Sequence, residues 1–149
     1  MVQMSKYGMR RTKPIRKELL RVKRSKSGLG LFAMGTIAPG MYIEYVGAII
    51  TTKKANTMLG ARYLFEINKA WTINGSDRKN IARYINHSCS PNSESVQKGK
   101  QVFIKILREV QSGEELTYDY GEEYFTEFIQ PNGCTCAKCS KPTVCVNSC

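Results

Sequence analysis

Three groups of residues have the types and spacing to do chemistry. The first is the run Arg83-Tyr84-Ile85-Asn86-His87-Ser88-Cys89-Ser90-Pro91-Asn92, which holds the chain's only histidine. Its Asn, Ser and Pro residues bond or bend locally in preference to continuing a plain helix or strand, so the run reads as a polar knot. The second is Gly113-Glu114-Glu115-Leu116-Thr117-Tyr118-Asp119-Tyr120-Gly121. Alternate residues of an extended segment face one side, so Tyr118 and Tyr120 can look into one pocket. The third is Cys134, Cys136 and Cys139, three thiols able to converge on one tetrahedral ion whose fourth ligand comes from elsewhere.

The first two groups, in this order, resemble the crossing segments that form the active-site pseudoknot of SET-domain protein-lysine methyltransferases. Gly28-Leu29-Gly30-Leu31-Phe32, Tyr45-Val46-Gly47 and the cysteine tail fit the same family in sequence, so the resemblance spans about residues 20–141. It implies a mostly β fold with short helices, small curved sheets around a pseudoknot, and a C-terminal zinc-binding post-SET element. The expected parts are a flexible basic arm (1–19), the SET domain (20–121) and the post-SET tail (122–149), with no pre-SET segment.

The implied activity is methylation of a lysine by S-adenosylmethionine. Gly28, Leu29, Gly30, Arg83, Asn86, His87 and Tyr120 match positions that contact this cofactor; Tyr120, Tyr118 and Tyr63 match the lysine channel and its chemistry. Tyr120 is the expected essential residue, and His87 binds without acid–base work. Tyr118 stands at the family's Phe/Tyr switch, and a tyrosine there implies mono- or dimethyllysine. The structural zinc would take Cys89 with Cys134, Cys136 and Cys139, although Cys145 or Cys149 could replace Cys89. Ala48, Asn74 and Lys79 depart from the residues usual in the family, and two residues rather than four separate Cys136 from Cys139.

Composition limits the other readings. The 149 residues make one domain with a modest core that a metal would help to hold. No apolar run reaches the length of a membrane span, and no apolar stretch follows the basic N-terminus as in a secretory signal. Six cysteines in that context point to thiols or a metal rather than a disulfide framework.

Ten of the 23 basic residues lie between Lys6 and Lys26, and eight of the 12 acids lie between Glu94 and Glu127. The basic arm suits contact with DNA or nucleosomes through phosphate. The acidic end, with Glu122, Glu123 and Glu127, would draw a basic protein substrate such as a histone-like tail. The implied location is the nucleus or chromosome in a eukaryote or on host chromatin, and otherwise the cytoplasm. The competing reading is a zinc-stapled module that binds nucleic acid or protein without catalysis; it leaves the Asn86-His87 block and the paired tyrosines without a role.

The elements that must position these groups are short strands separated by turns. A strand is predicted to start at Leu19–Val22, a tight turn at Gly28-x-Gly30, and a turn at Pro39-Gly40. Further strands are predicted at 45–51, 62–67 and 71–73, a helical turn within 53–60, and a single helical turn from Asn80 to Ile85. A hairpin joins 93–96 to 101–106.

Overall fold

The computed structural model describes residues 13–139, with strands β1 (Leu20–Ser25), β2 (Gly28–Ala33), β3 (Tyr42–Tyr45), β4 (Ala48–Thr51), β5 (Leu64–Glu66), β6 (Trp71–Asn74), β7 (Asn86–His87), β8 (Ser93–Lys98), β9 (Gln101–Ile106) and β10 (Thr117–Tyr118). Alternation decides how β9 lies: Val102, Ile104 and Ile106 point inward and are essentially sealed from water, while Gln101, Phe103 and Lys105 take the other face. β9 pairs antiparallel with β3 on one side and β8 on the other, with Gly99 at φ 59° in the β8–β9 turn.

The remaining strands complete three small sheets. β3, β9, β8, β10 and β7 form one in that order, β4-β6-β5 a second, and the β1–β2 hairpin the third. Their inner faces close on a core of Leu31, Ile37, Ile73, Ile85, Ile104, Ile106, Val110 and Leu116. Glycine is obligatory at Gly47, where an added Cβ would stand 2.0 Å from the Asn74 carbonyl oxygen, so the β4–β6 sheet lies directly against the end of β3.

Several predicted boundaries move. Gly28–Ala33 is a strand, and the turn precedes it across Ser25↔Gly28. The expected turn from Asn80 is a 3₁₀ turn over Ile81–Tyr84, and Thr52–Ala55 is a single α turn capped by Thr51 Oγ1. Lys13–Leu19, the described part of the expected arm, lies against the domain: Ile15 N–H donates to the Tyr42 carbonyl and Ile15 is buried. Apolar Ile15 lets this stretch bury a side chain in spite of its charged neighbours. The residues before Lys13, including the rest of the basic run, and Cys145 and Cys149 fall outside the described residues.

Candidate active site

The two motifs meet as parallel strands. β7 and β10 pair Thr117 with Asn86 and Tyr118 with His87, and Tyr118 also bridges Ser93 at the start of β8. Asn92 holds the crossing: its Nδ2 donates to the Glu115 carbonyl at 2.8 Å, while its Oδ1 accepts from Thr117 N–H at 2.9 Å and from Ser93 Oγ at 3.0 Å. Asn92 is 3% exposed, so losing the side chain would leave two buried backbone groups without partners. Ser88 N–H donates to the Tyr118 carbonyl and locks the two segments once more.

This crossing fixes the tyrosines. The Tyr118 and Tyr120 rings lie 4.8 Å apart, as the two-residue spacing predicts, and Tyr120 also meets Tyr124 edge-on at 5.0 Å. The Tyr120 hydroxyl donates to the Ile85 carbonyl at 2.5 Å. Burial, reinforced by Tyr124, Tyr45, Tyr63 and Glu115 nearby, lifts the Tyr120 phenol well above its ordinary value. Burial does the same to Tyr118, with Tyr120 adding to it. Both are neutral phenols at physiological pH.

His87 is positioned by the same strand pair. Its Nδ1 accepts from the Tyr120 backbone N–H at 3.1 Å, which puts the ring proton on Nε2. Burial lowers its pKa against a partial upward pull from Asp119, so the 3.8 Å approach of Nδ1 to Asp119 is not an ion pair. Nε2 faces Cys89 Sγ at 3.4 Å.

Asn86, His87 and Tyr120 form one wall of a cleft of about 320 Å³. The opposite wall comes from beyond Gly121, where an α turn (Glu122–Tyr124) runs into a π-type turn (Phe125–Ile129) and a 3₁₀ turn (Gln130–Asn132). The rings of Tyr124 and Phe128 lie 4.8 Å apart, tilted by 40°, and face the cleft, while Glu122, Glu123 and Glu127 line a separate open groove. Ser27, on the β1–β2 turn, closes the cleft by sharing a 2.8 Å hydrogen bond with Thr135.

At the closed end of this wall the sulfurs of Cys89, Cys134, Cys136 and Cys139 all lie within 4.8 Å of one another. Cys89 is 3.8 Å from Cys134 and 3.7 Å from Cys139. Tetrahedral thiolates at about 2.3 Å from a zinc ion would be spaced by about 3.8 Å, so the donor set and its spacing fit that ion. Burial and the neighbouring thiols push the Cys89 thiol up to about 12. Burial also raises Cys136, but backbone hydrogen bonds at Cys89 and Cys139 outweigh it and bring that thiol down to about 7.

The sequence profile of the SET domain matches residues 28–121. The chain belongs to the SET-domain family. Among curated proteins, it is 37% identical over 119 residues to the histone-lysine N-methyltransferase set-2 of Caenorhabditis elegans, covering 70% of this chain and 8% of that protein. It is 40% identical over 105 residues to a histone-lysine N-methyltransferase, H3 lysine-4 specific, of Schizosaccharomyces pombe, covering 62% of this chain and 11% of that one. Against set1 of Dictyostelium discoideum the identity is 37% over 116 residues, covering 67% of this chain and 8% of the relative. The chain thus spans about a tenth of the length of these relatives.

Within the SET domain the expected site residues separate into two sets. Asn86, His87 and Tyr120 line the cleft, and Cys89 joins the tail cysteines. Arg83, expected beside the cofactor, turns the other way. Its guanidinium stacks on Tyr63 at 4.2 Å and on Tyr84 at 5.0 Å, and Nη1 donates to the Ser76 carbonyl. Tyr63 sits beside Tyr45, whose hydroxyl donates to the Tyr63 carbonyl at 2.8 Å.

Gly28, Leu29 and Gly30 are outside the cleft lining, although the Leu29 carbonyl accepts from Asn86 Nδ2 at 2.9 Å. Sequence reasoning missed Ser27, Tyr124, Phe128 and Thr135 in the cleft, and Tyr45 and Glu115 behind it. A helical spacing of Tyr124 and Phe128 was the one available signal for the far wall.

Proposed function

We propose that this SET domain transfers a methyl group from S-adenosylmethionine to a lysine of a basic protein, most directly a histone or histone-like tail, giving mono- or dimethyllysine. The observation that carries this reading is the Tyr118–Tyr120 pair fixed by the crossing of β7 and β10, with Tyr120 lining the cleft and Tyr118 buried beside it. The relatives' names, histone-lysine N-methyltransferase and H3 lysine-4 specific, support the histone tail as the substrate class. In this reading residues 20–121 form the catalytic unit and the tail from 122 closes over it.

The bound cofactor supplies an activated methyl on a sulfonium. The chain's residues do the positioning. Because the Tyr120 hydroxyl gives its proton to the Ile85 carbonyl, its oxygen lone pairs remain as acceptors for an amine or a polarised methyl. Its raised pKa makes it an orienting phenol and not a phenolate base. Tyr118, Tyr63 and Tyr45 form an aromatic surround that favours an uncharged lysine by desolvation. The Tyr118 hydroxyl makes no hydrogen bond to any other described residue, which leaves it free to hold a small polar partner and restrict the room for methyl groups.

Asn86 and His87 bind the cofactor, and Arg83 supports the channel through Tyr63. Cys89, Cys134, Cys136 and Cys139 would hold a structural zinc that keeps the far wall in place. Exposed Arg21 and Lys23 share one side of β1, and with the exposed Arg16, Lys17, Arg24 and Lys26 around this end of the chain they supply positive charge for nucleosomal phosphate, which supports a place on chromatin.

Transfer of labelled methyl to free histones, nucleosomes and the protein itself tests the reading. Tyr120→Phe is expected to lower transfer at least about a hundredfold while cofactor binding, read by calorimetry, stays. Equal transfer by the variant would remove Tyr120 from the chemistry.

A further inference from the structure

Glu115 lies behind the cleft wall among acids that face water, yet its side chain is enclosed on three sides. Oε2 accepts from Ser25 Oγ at 2.9 Å, and Oε1 accepts from Asn86 Nδ2 at 2.7 Å. Its backbone is fixed as well, by a bridge to Phe32 and by the Asn92 bond to its carbonyl. Room for the carboxylate exists because residue 30 is glycine: an added Cβ there would stand 2.2 Å from Oε1.

A carboxamide has one acceptor oxygen and one donor nitrogen. The Asn86 nitrogen is engaged by two acceptors, the Leu29 carbonyl and Glu115 Oε1. Flipping the amide would turn its oxygen toward both and forfeit both bonds. The Asn86 oxygen is thereby left with no partner among the described residues, on a side chain that lines the cleft. A wall that offers an acceptor with a carboxylate behind it selects a cation.

We propose that Glu115 is a positioning residue: with Ser25 and Gly30 it holds the Asn86 amide so that its oxygen meets the α-ammonium group of the cofactor's amino-acid end. This rests on the cofactor reading above. It gives the Gly28-x-Gly30 motif a purpose at Gly30 different from backbone approach to a ligand.

The test is calorimetric, on the full chain, with two ligands. S-adenosylhomocysteine carries the ammonium; 5′-methylthioadenosine keeps the nucleoside and lacks the amino-acid part. Glu115→Gln keeps the shape, removes the charge and can set an amide N–H₂ against that of Asn86. The expected result is an affinity for S-adenosylhomocysteine lowered about tenfold, with that for methylthioadenosine unchanged.

Should Glu115→Gln fail to fold, Ser25→Ala carries the test, with a selective loss of about threefold. An equal loss for both ligands, or none for either, overturns the proposal. Wild-type protein that binds neither ligand overturns the cofactor reading itself.

Discussion

The two walls of the cleft are built in opposite ways. The wall from the knot is made of strands whose polar groups are bonded to each other and whose apolar neighbours Ile85, Leu116 and Ile106 are sealed. The wall from Glu122 to Asn132 contains no buried residue, and in the described tail beyond it only Cys136 is buried. The first wall has enough burial to stand unaided. The second has little apolar area to offset its ordering entropy, so in the zinc reading proposed above its order rests on the cysteine cluster. One half of the site is therefore constitutive and the other conditional.

Metal removal gives the largest effect that could break this contrast. Chelation is expected to abolish methyl transfer while the main thermal transition and the β-sheet circular dichroism persist. Loss of both together would mean that the knot also leans on the ion. On the constitutive side, Asn92→Ala should lower unfolding stability by about 2–3 kcal/mol in denaturant melts, because the Thr117 N–H and the Glu115 carbonyl lose their partner in a dry setting. A change under ~0.5 kcal/mol would show that the crossing is held elsewhere.

Phe128→Ala, on the conditional wall, should weaken cofactor binding by about tenfold in calorimetry and leave the melting temperature unaltered, since Phe128 is 56% exposed. A marked drop in melting temperature would make that wall part of the core.

The smallest effect concerns pH. Burial raises Tyr118 and Tyr120 above the unfolded value of ~10, so the folded state keeps protons that the unfolded chain releases. The stability linked to them is intact below pH ~10 and is lost as pH rises further. An ultraviolet titration of the eight tyrosines should leave these two neutral until the alkaline transition. Their titration along with exposed tyrosines near pH ~10 would contradict a tight knot.

The same contrast explains what was legible in the sequence. The knot could be read because its run of Asn, Ser and Pro stands apart from plain helix or strand and its alternate tyrosines share a face, but the use of Asn92 could not, since its partners Glu115 and Thr117 lie 23 and 25 residues away. The cysteine cluster could be read because ligand spacing is chemical. The far wall could not, since Tyr124 ends a single α turn and Phe128 lies in the π-type turn that follows, with no sealed face to impose a period.

Glu115 was hidden for another reason. It stands in an acid-rich run that reads as solvated, and its partners Ser25 and Asn86 lie 90 and 29 residues away. The stacking of Arg83 on Tyr63 and Tyr84 was hidden too, because chain proximity to Asn86 says nothing about which way a long side chain turns.

Tyr63 is the one described residue other than glycine with a positive φ, at 66°, and its carbonyl is clamped by Tyr45 Oη and Gly75 N–H. A tyrosine in that conformation costs about 1–2 kcal/mol that glycine would not. Variants selected for thermal endurance alone should drift toward glycine or asparagine there. Variants selected for turnover should keep the ring under Arg83, so position 63 is where the two pressures on this chain pull apart.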